Sequence, residues 1–294
     1  DSLVKITSSH LMLPSLYLNI KKKNLTKHIP KKLISYLKEI YILNKNRNKT
    51  LIKELAEISK ILNYNNIEHV LLKGSANIIG NIYNDIGERM IGDIDILTRP
   101  NQSKQTIKVL NKNKYNPIVT QIFMLNEEKH YKRHCKKNKV FALEIHKNLL
   151  VKKNLQLLNK KKFIKDRIMV NGFFIPSFSD QLEHNIYNYQ INDYGNIKLN
   201  YSFRSFYDTY LLSKKIKSNF NLSNPNKYIK NYLMIAKELK IYNLINANYK
   251  ERKLHNYRFK FKYSNKAFHT IDNIIVNQMI KFKSRPKQIA ELII

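Results

Sequence analysis

Two acids separated by a single residue, Asp93 and Asp95, are the first feature able to do chemistry. Residues two apart on an extended strand project from one face, so their carboxylates share a patch while Ile94 and Ile96 turn into a core. Such crowding is unfavourable unless a cation relieves it, and Mg²⁺, a hard ion that takes oxygen ligands and substrate phosphates, suits the pair. Two solvated acids satisfy the same spacing. Upstream, Gly74 and Ser75 close a short apolar run and open a helix, where backbone N–H groups and a hydroxyl can meet phosphate oxygens. An ordinary capped turn has the same composition. Downstream, Ala142, Glu144 and His146 alternate with Phe141, Leu143 and Ile145, so Glu144 offers a third carboxylate from a neighbouring strand. Three such acids are what a two-metal centre requires, one ion activating an attacking hydroxyl and the other holding a triphosphate. Glu144 could then act as, or position, a general base; an exposed strand acid is the plainer reading.

These side chains need elements to hold them. From about residue 10 to 64 the pattern is helical, with Leu51, Leu55, Ile58 and Leu62 forming one apolar stripe. The run Ile67 to Leu72 predicts a buried strand that ends at Lys73-Gly74-Ser75. Ile78, Ile79, Ile82, Tyr83 and Ile86 then predict a helix that Gly87 stops. A second strand covers Ile94 to Thr98, a helix runs from Ser103 to about Asn113, and further strands are expected at 117–124 and 139–146. The fold class is α+β: a core with a mixed sheet at 66–176, an N-terminal helical region at 1–65 and a mainly helical C-terminal domain at 177–294. Within the last, 182–191 and 203–216 are the clearest helices, and no repeat or Gly/Ser linker interrupts the chain.

The 294 residues are 43% hydrophobic, enough to bury a substantial core. A net charge of +33 attracts phosphate-bearing partners and makes a polyanionic acceptor such as RNA plausible. The excess is nearly all lysine and accompanies many Asn, Ile and Tyr, a skew that an A/T-rich genome also produces. One cysteine, Cys135, excludes an internal disulfide or a multi-cysteine metal site. No apolar run approaches the roughly 20 residues of a membrane span, so no membrane partner and a cytoplasmic location are expected.

Taken together, Leu71-Leu72-Lys73-Gly74-Ser75-Ala76, Tyr83, Arg89 and Gly92-Asp93-Ile94-Asp95-Ile96-Leu97 resemble the polymerase β-like nucleotidyltransferases. Within them they are similar to a bacterial group whose core reads lysine-glycine, arginine, then DID. Glu144-Ile145-His146 resembles that group's later acid-x-histidine strand, and His184 with Arg204 and Asp208 its C-terminal helical pattern. The resemblance implies Gly74 and Ser75 for the nucleotide's phosphates. It implies Asp93, Asp95 and Glu144 as the catalytic ligands of two Mg²⁺ ions, with Mn²⁺ as the alternative metal. Lys73 and Arg89 would join the nucleotide-binding set as cationic clamps, or pair with acids structurally. The nucleotide would be an NTP, ATP first. The interval from Gly74 to Asp93 is longer than is usual in the superfamily.

Other groups have plainer explanations. His130 and His134, four apart, are expected on one solvated helix face, without the companions of a zinc motif. His146, on the face of Glu144, is expected to hydrogen-bond a neighbour, with orienting a substrate as the alternative. Tyr257 to Tyr263 alternates aromatic and basic residues and predicts an amphipathic strand, although such mixtures also bind single-stranded nucleic acid. The lysine runs at 21–23 and 160–162 are expected on solvated faces. The function expected is transfer of NMP from an NTP to a hydroxyl acceptor, an RNA or tRNA 3′ end or a small molecule, with release of pyrophosphate. The alternative is a catalytically idle nucleic-acid-binding or antitoxin-like module of the same fold.

Overall fold

A computed structural model describes residues 2–118, 129–216, 226–239 and 253–290. Three helices come first: α1 (Ser2–Ser9), α2 (Leu13–Lys22) and α3 (Lys31–Tyr64). In α3 the expected stripe is the buried one, with Leu51, Leu55, Ile58 and Leu62 at most 1% exposed. Strand β1 (His69–Leu71) leads into helix α4 (Lys73–Ile79), and β2 (Ile94–Thr98) into α5 (Ser103–Lys112). Then come β3 (Asn116–Pro117), β4 (His134–Cys135) and β5 (Leu143–His146). They form one five-stranded sheet in the order β1-β2-β5-β4-β3, in which only β2 and β5 run parallel. Helix α6 (Lys160–Lys165) precedes a hairpin of β6 (Ile168–Val170) and β7 (Phe173–Ile175), and α7 (Phe178–Tyr187) follows.

The fold class is therefore the expected one, a mixed sheet flanked by helical regions. Several elements differ in extent. The helix after Ser75 stops at Ile79, because residues beyond it are drawn out of helical geometry, with Asn81 at φ +49°. Ile82 and Tyr83 are buried all the same, so their spacing reflected burial rather than a helix. The strand expected at 139–146 begins only at Leu143, and of 117–124 the described part is the end of β3; residues 119–128 lie outside the described set. The β6–β7 hairpin was missed, although Asn171-Gly172 marks it. Both residues have positive φ, as a two-residue turn matching strand twist demands.

Two compact units divide the chain. The first holds residues 1–185 and 203–217, so the N-terminal helices, the sheet and helix α9 (Phe203–Lys215) belong to one body. The second holds 186–202 and 218–294, with α8 (Gly195–Lys198), α10 (Lys227–Glu238), α11 (Lys253–Ser264) and α12 (Lys266–Ala290). Residues 257–263 lie in α11, against the expected strand. Phe259 and Lys262, three apart, turn inward at 2% and 1% exposure, while Tyr257 and Phe261 face solvent. The buried lysine holds Asp272 at 3.0 Å and the Lys198 carbonyl at 2.8 Å, and Arg258 shares that acid at 2.8 Å. An inward-facing cation breaks any hydropathy pattern, which is why the alternation misled.

Helix α3 is the frame of the first unit. Asn44 Nδ2 donates to the carbonyls of Gly87 (2.8 Å) and Arg89 (3.1 Å), and Asn48 Nδ2 to those of Ile86 (2.5 Å) and Arg89 (2.8 Å). Arg47 reaches the carbonyls of Ile91 and Gly92, while Tyr41 and Lys45 hold Asp85 at 3.0 and 2.7 Å. About two turns on, the Glu54 carboxylate accepts from the N–H groups of Val140 (2.8 Å) and Phe141 (3.2 Å). Glu54 is 3% exposed, and its loss leaves those donors without partners. Glu54→Ala is expected to lower the unfolding free energy by about 2–4 kcal/mol, read as a reduced urea midpoint with unchanged slope.

Candidate active site

The acids sit where β2 and β5 run side by side. The register pairs Asp95 with Glu144 and Leu97 with His146, while Ile94, Ile96, Leu143 and Ile145 on the other face are at most 1% exposed. Asp93 is the last residue before β2, at the end of the loop that α3 holds. The strand alternation read from sequence thus brings Asp93, Asp95 and Glu144 to one face. Ligand atoms of Asp95, Glu144 and His146 lie within 4.8 Å of one another, a set that can hold a metal ion. Asp93 joins them through an arginine. Arg133 Nη2 donates to Asp93 Oδ2 at 2.5 Å and its Nε to Glu144 Oε1 at 3.2 Å, so one guanidinium spans both carboxylates.

Asp95 has two further cationic or polar neighbours. Lys73 Nζ bonds its Oδ1, and His146 Nε2 meets the same oxygen at 2.7 Å. A carboxylate only accepts, so Nε2 carries the proton. Burial works against the Asp95 charge, yet Lys73 and His146 hold its carboxyl well below the usual carboxylate range. For Asp93, burial and the nearby Glu144 and Asp95 outweigh Arg133 and push the carboxyl up. His146 is lowered to about 4, by burial first and then by Lys73. It is therefore a neutral donor, as the expectation of a neighbour bond required.

The turn after β1 abuts the acid strand. Leu72 N–H bonds the Asp95 carbonyl at 2.9 Å, so the start of α4 is tied to the acid strand. Lys73 has φ +52°, a conformation that costs a non-glycine residue about 1 kcal/mol or more and that directs its ammonium at Asp95. Gly74 packs closely: a Cβ there would stand 3.0 Å from Ile91 Cγ1, two residues before Asp93, so that side chain would have to shift. Ser75 is 1% exposed, and its Oγ has no hydrogen-bond partner among the described residues.

Arg89 does not reach the acid cluster in these contacts. Its Nε and Nη2 each lie 3.2 Å from Asp208 Oδ2, and Tyr83 donates to Asp208 Oδ1 at 2.6 Å. Arg89 and Asp208, from distant parts of the chain, thus form one buried ion pair that joins α9 to the loop before Asp93.

The histidines depart from expectation. His134 lies on β4, 2% exposed, with Nδ1 on the Lys132 carbonyl at 2.8 Å; His130 bridges His146 and puts Nε2 3.8 Å from Glu144 Oε2. Neither is on a helix, because this stretch pairs with β5. Arg133 was missed altogether. No motif marks it, and its approach to Asp93 and Glu144 exists only once β4 lies beside β5.

A family model described as uncharacterised nucleotidyltransferase matches residues 1–232, and the chain belongs to that family, within the polymerase β-like superfamily. Among solved structures, an antigenic nucleotidyltransferase-like protein from Paracoccidioides brasiliensis is 12% identical with a TM-score of 0.44. The match covers 68% of this chain and 95% of that one. The antibiotic-resistance factor ANT(2'')-Ia is 10% identical with a TM-score of 0.35, covering 76% and 98%. Likenesses this distant carry no argument about activity. No curated protein matches the chain. Among the described residues, no helix is long and apolar enough to cross a membrane.

Two outcomes follow from the charges. Asp208→Ala strands Arg89 as a buried charge and is expected to cost about 3–5 kcal/mol of stability by urea unfolding. Burial, reinforced by Lys73 and Lys129, holds the His184 pKa well below its ordinary value. An unfolded histidine titrates near 6.5, at about which pH the folded state begins to lose stability as acid is added. Metal-free protein should therefore show a falling urea midpoint from pH 7 towards pH 5, and His184→Leu should make that slope shallower, with His146 and His69 still contributing.

Proposed function

We propose that this protein transfers an NMP group from an NTP to a hydroxyl acceptor, releasing pyrophosphate, with Asp93, Asp95 and Glu144 as metal ligands. The observation that carries this is the in-register pairing of Asp95 with Glu144 on parallel strands, with Asp93 within the span of one guanidinium of Glu144. The donor set fits Mg²⁺ or Mn²⁺. It is mainly carboxylate oxygen, and each acid already needs cationic neighbours in its metal-free arrangement. When bound, two such ions would polarise the phosphate and lower the pKa of the attacking hydroxyl.

The chain's own residues do the rest. Glu144, facing the acids, receives or relays the proton of the acceptor hydroxyl as its oxygen bonds the α-phosphorus. The bond to the β-phosphate oxygen breaks, and pyrophosphate leaves with the electron pair. Lys73 is aimed at this side of the sheet and can follow the triphosphate, while Gly74 and Ser75 form the adjoining turn with an unpartnered hydroxyl. Arg89 acts through Asp208 as a positioning residue for the loop that ends at Asp93. His146 keeps Asp95 ionised and oriented. Lys73-Gly74, Arg89 and Asp93-Ile94-Asp95 also support membership in the narrower bacterial group with the lysine-glycine, arginine and DID core.

For the acceptor, the net charge of +33 favours a polyanion, and RNA, including a tRNA 3′ end, is the reading it supports. ATP is the nucleotide to try first. The test is incubation with Mg²⁺, each α-labelled NTP, and either total RNA or a metabolite pool. Label in RNA supports the polynucleotide acceptor, and label in metabolites replaces it with a small molecule. Glu144→Gln is expected to slow transfer by about 10²-fold or more while nucleotide binding persists. Absence of transfer with every NTP and both pools, together with salt-sensitive RNA binding that ignores Asp95→Asn, would leave the idle binding module instead.

A further inference from the structure

We propose that Arg133 is the exchangeable counter-ion of the acid cluster: divalent cations displace it, and its guanidinium then binds the triphosphate of the nucleotide. This rests on the metal-site reading above and adds a residue to it.

The position of Arg133 is fixed by backbone, not by its side chain. Its carbonyl accepts from Ile118 N–H at 2.8 Å, and Tyr131 N–H bonds the Ile145 carbonyl at 2.9 Å. His130 pairs with His146, and His134 with Leu143, so four steps on one side face three on the other. That extra residue is a bulge, the device that re-aims a side chain next to a site. Here it accompanies an arginine turned onto Asp93 and Glu144. The side chain can leave without disturbing the strand that carries it.

The three side chains that donate to the acids, two cations and one neutral histidine, differ in exposure. His146 is fully buried and the Lys73 side chain 27% exposed, whereas Arg133 is 46% exposed. A cation that is already half in water gives up least when its partner is taken by another. Its two contacts occupy Nη2 and Nε, the groups that would compete with a metal for Asp93 Oδ2 and Glu144 Oε1. Replacing one positive charge by divalent ions turns the cluster from acid-rich to cation-rich. A guanidinium released at its edge then stands beside the position where phosphate charge is wanted, and its planar fork matches phosphate oxygens. In a chain whose cations are nearly all lysine, an arginine at this point is consistent with a need for that fork.

Two binding measurements on the full chain, stripped of metal by chelation, test this without turnover. Mn²⁺ affinity is read from the free-ion electron paramagnetic resonance signal, and ATP affinity from equilibrium dialysis in saturating Mn²⁺. Arg133→Ala should bind Mn²⁺ on the order of 5-fold tighter and ATP on the order of 10-fold weaker. Arg133→Lys keeps a counter-ion without the fork, so it should leave Mn²⁺ affinity near wild type and still weaken ATP. It also remains informative if the alanine variant unfolds through repulsion of its acids. Mn²⁺ binding to Arg133→Ala that is no tighter than wild type overturns displacement. ATP affinity unchanged in both variants overturns the triphosphate contact. Asp95→Asn separates the failures: if it leaves Mn²⁺ affinity intact, the metal-site reading itself falls; if it abolishes binding, only the role of Arg133 is in question.

Discussion

Mutual repulsion of carboxylates on adjoining parallel strands is the constraint around which this molecule is arranged. Asp95 and Glu144 are opposite each other in register, and Asp93 is one step outside the ladder on the same face. Left alone in a half-buried site, such a cluster would take up protons or push its strands apart. What prevents this is a ring of donors from separate segments: Lys73 from the turn after β1, His146 from β5 itself and Arg133 from the bulged strand beyond it. The opposing pKa directions of Asp93 and Asp95 express the same balance, since only the latter has two donors on one oxygen.

A site of that kind needs its strands held from behind, and α3 does so with polar side chains. Asn44, Arg47 and Asn48 bind carbonyls of the loop entering β2, and Glu54 binds N–H groups of the segment entering β5. Between them the leucine stripe of the same helix closes the core. The long interval between Gly74 and Asp93 thus has a physical use. It gives the loop enough length to run along α3 and to be pinned there, so that each acid enters its strand from a fixed point.

The buried pair of Arg89 and Asp208 extends this support to α9. A charged pair at 3.2 Å with Tyr83 on the same acid is costly to desolvate and directional once formed, so it specifies one placement of the loop. This is why an arginine that the resemblance places with the nucleotide can also serve geometry. Signature and support are not separable by residue type, because an arginine that clamps phosphate and one that anchors a loop differ only in which anion lies nearby.

The sequence by itself determined the alternating strands around Asp93, Asp95 and Glu144, the stripe of α3 and the strand-to-helix turn at Gly74. These rest on local periodicity, which short stretches of chain carry in full. It also carried a resemblance to nucleotidyltransferases, the class of the family to which the chain belongs. The tertiary structure alone decided the rest. Whether Arg89 pairs with Asp208, and whether residues 257–263 are strand or helix, depends on partners ten or more residues away. The place of Arg133 depends on which strand pairs with β5 and on one extra residue in that pairing. Long-range charge pairing leaves no periodic trace in a sequence, because a buried cation obeys its counter-charge and not the hydropathy pattern of its own segment.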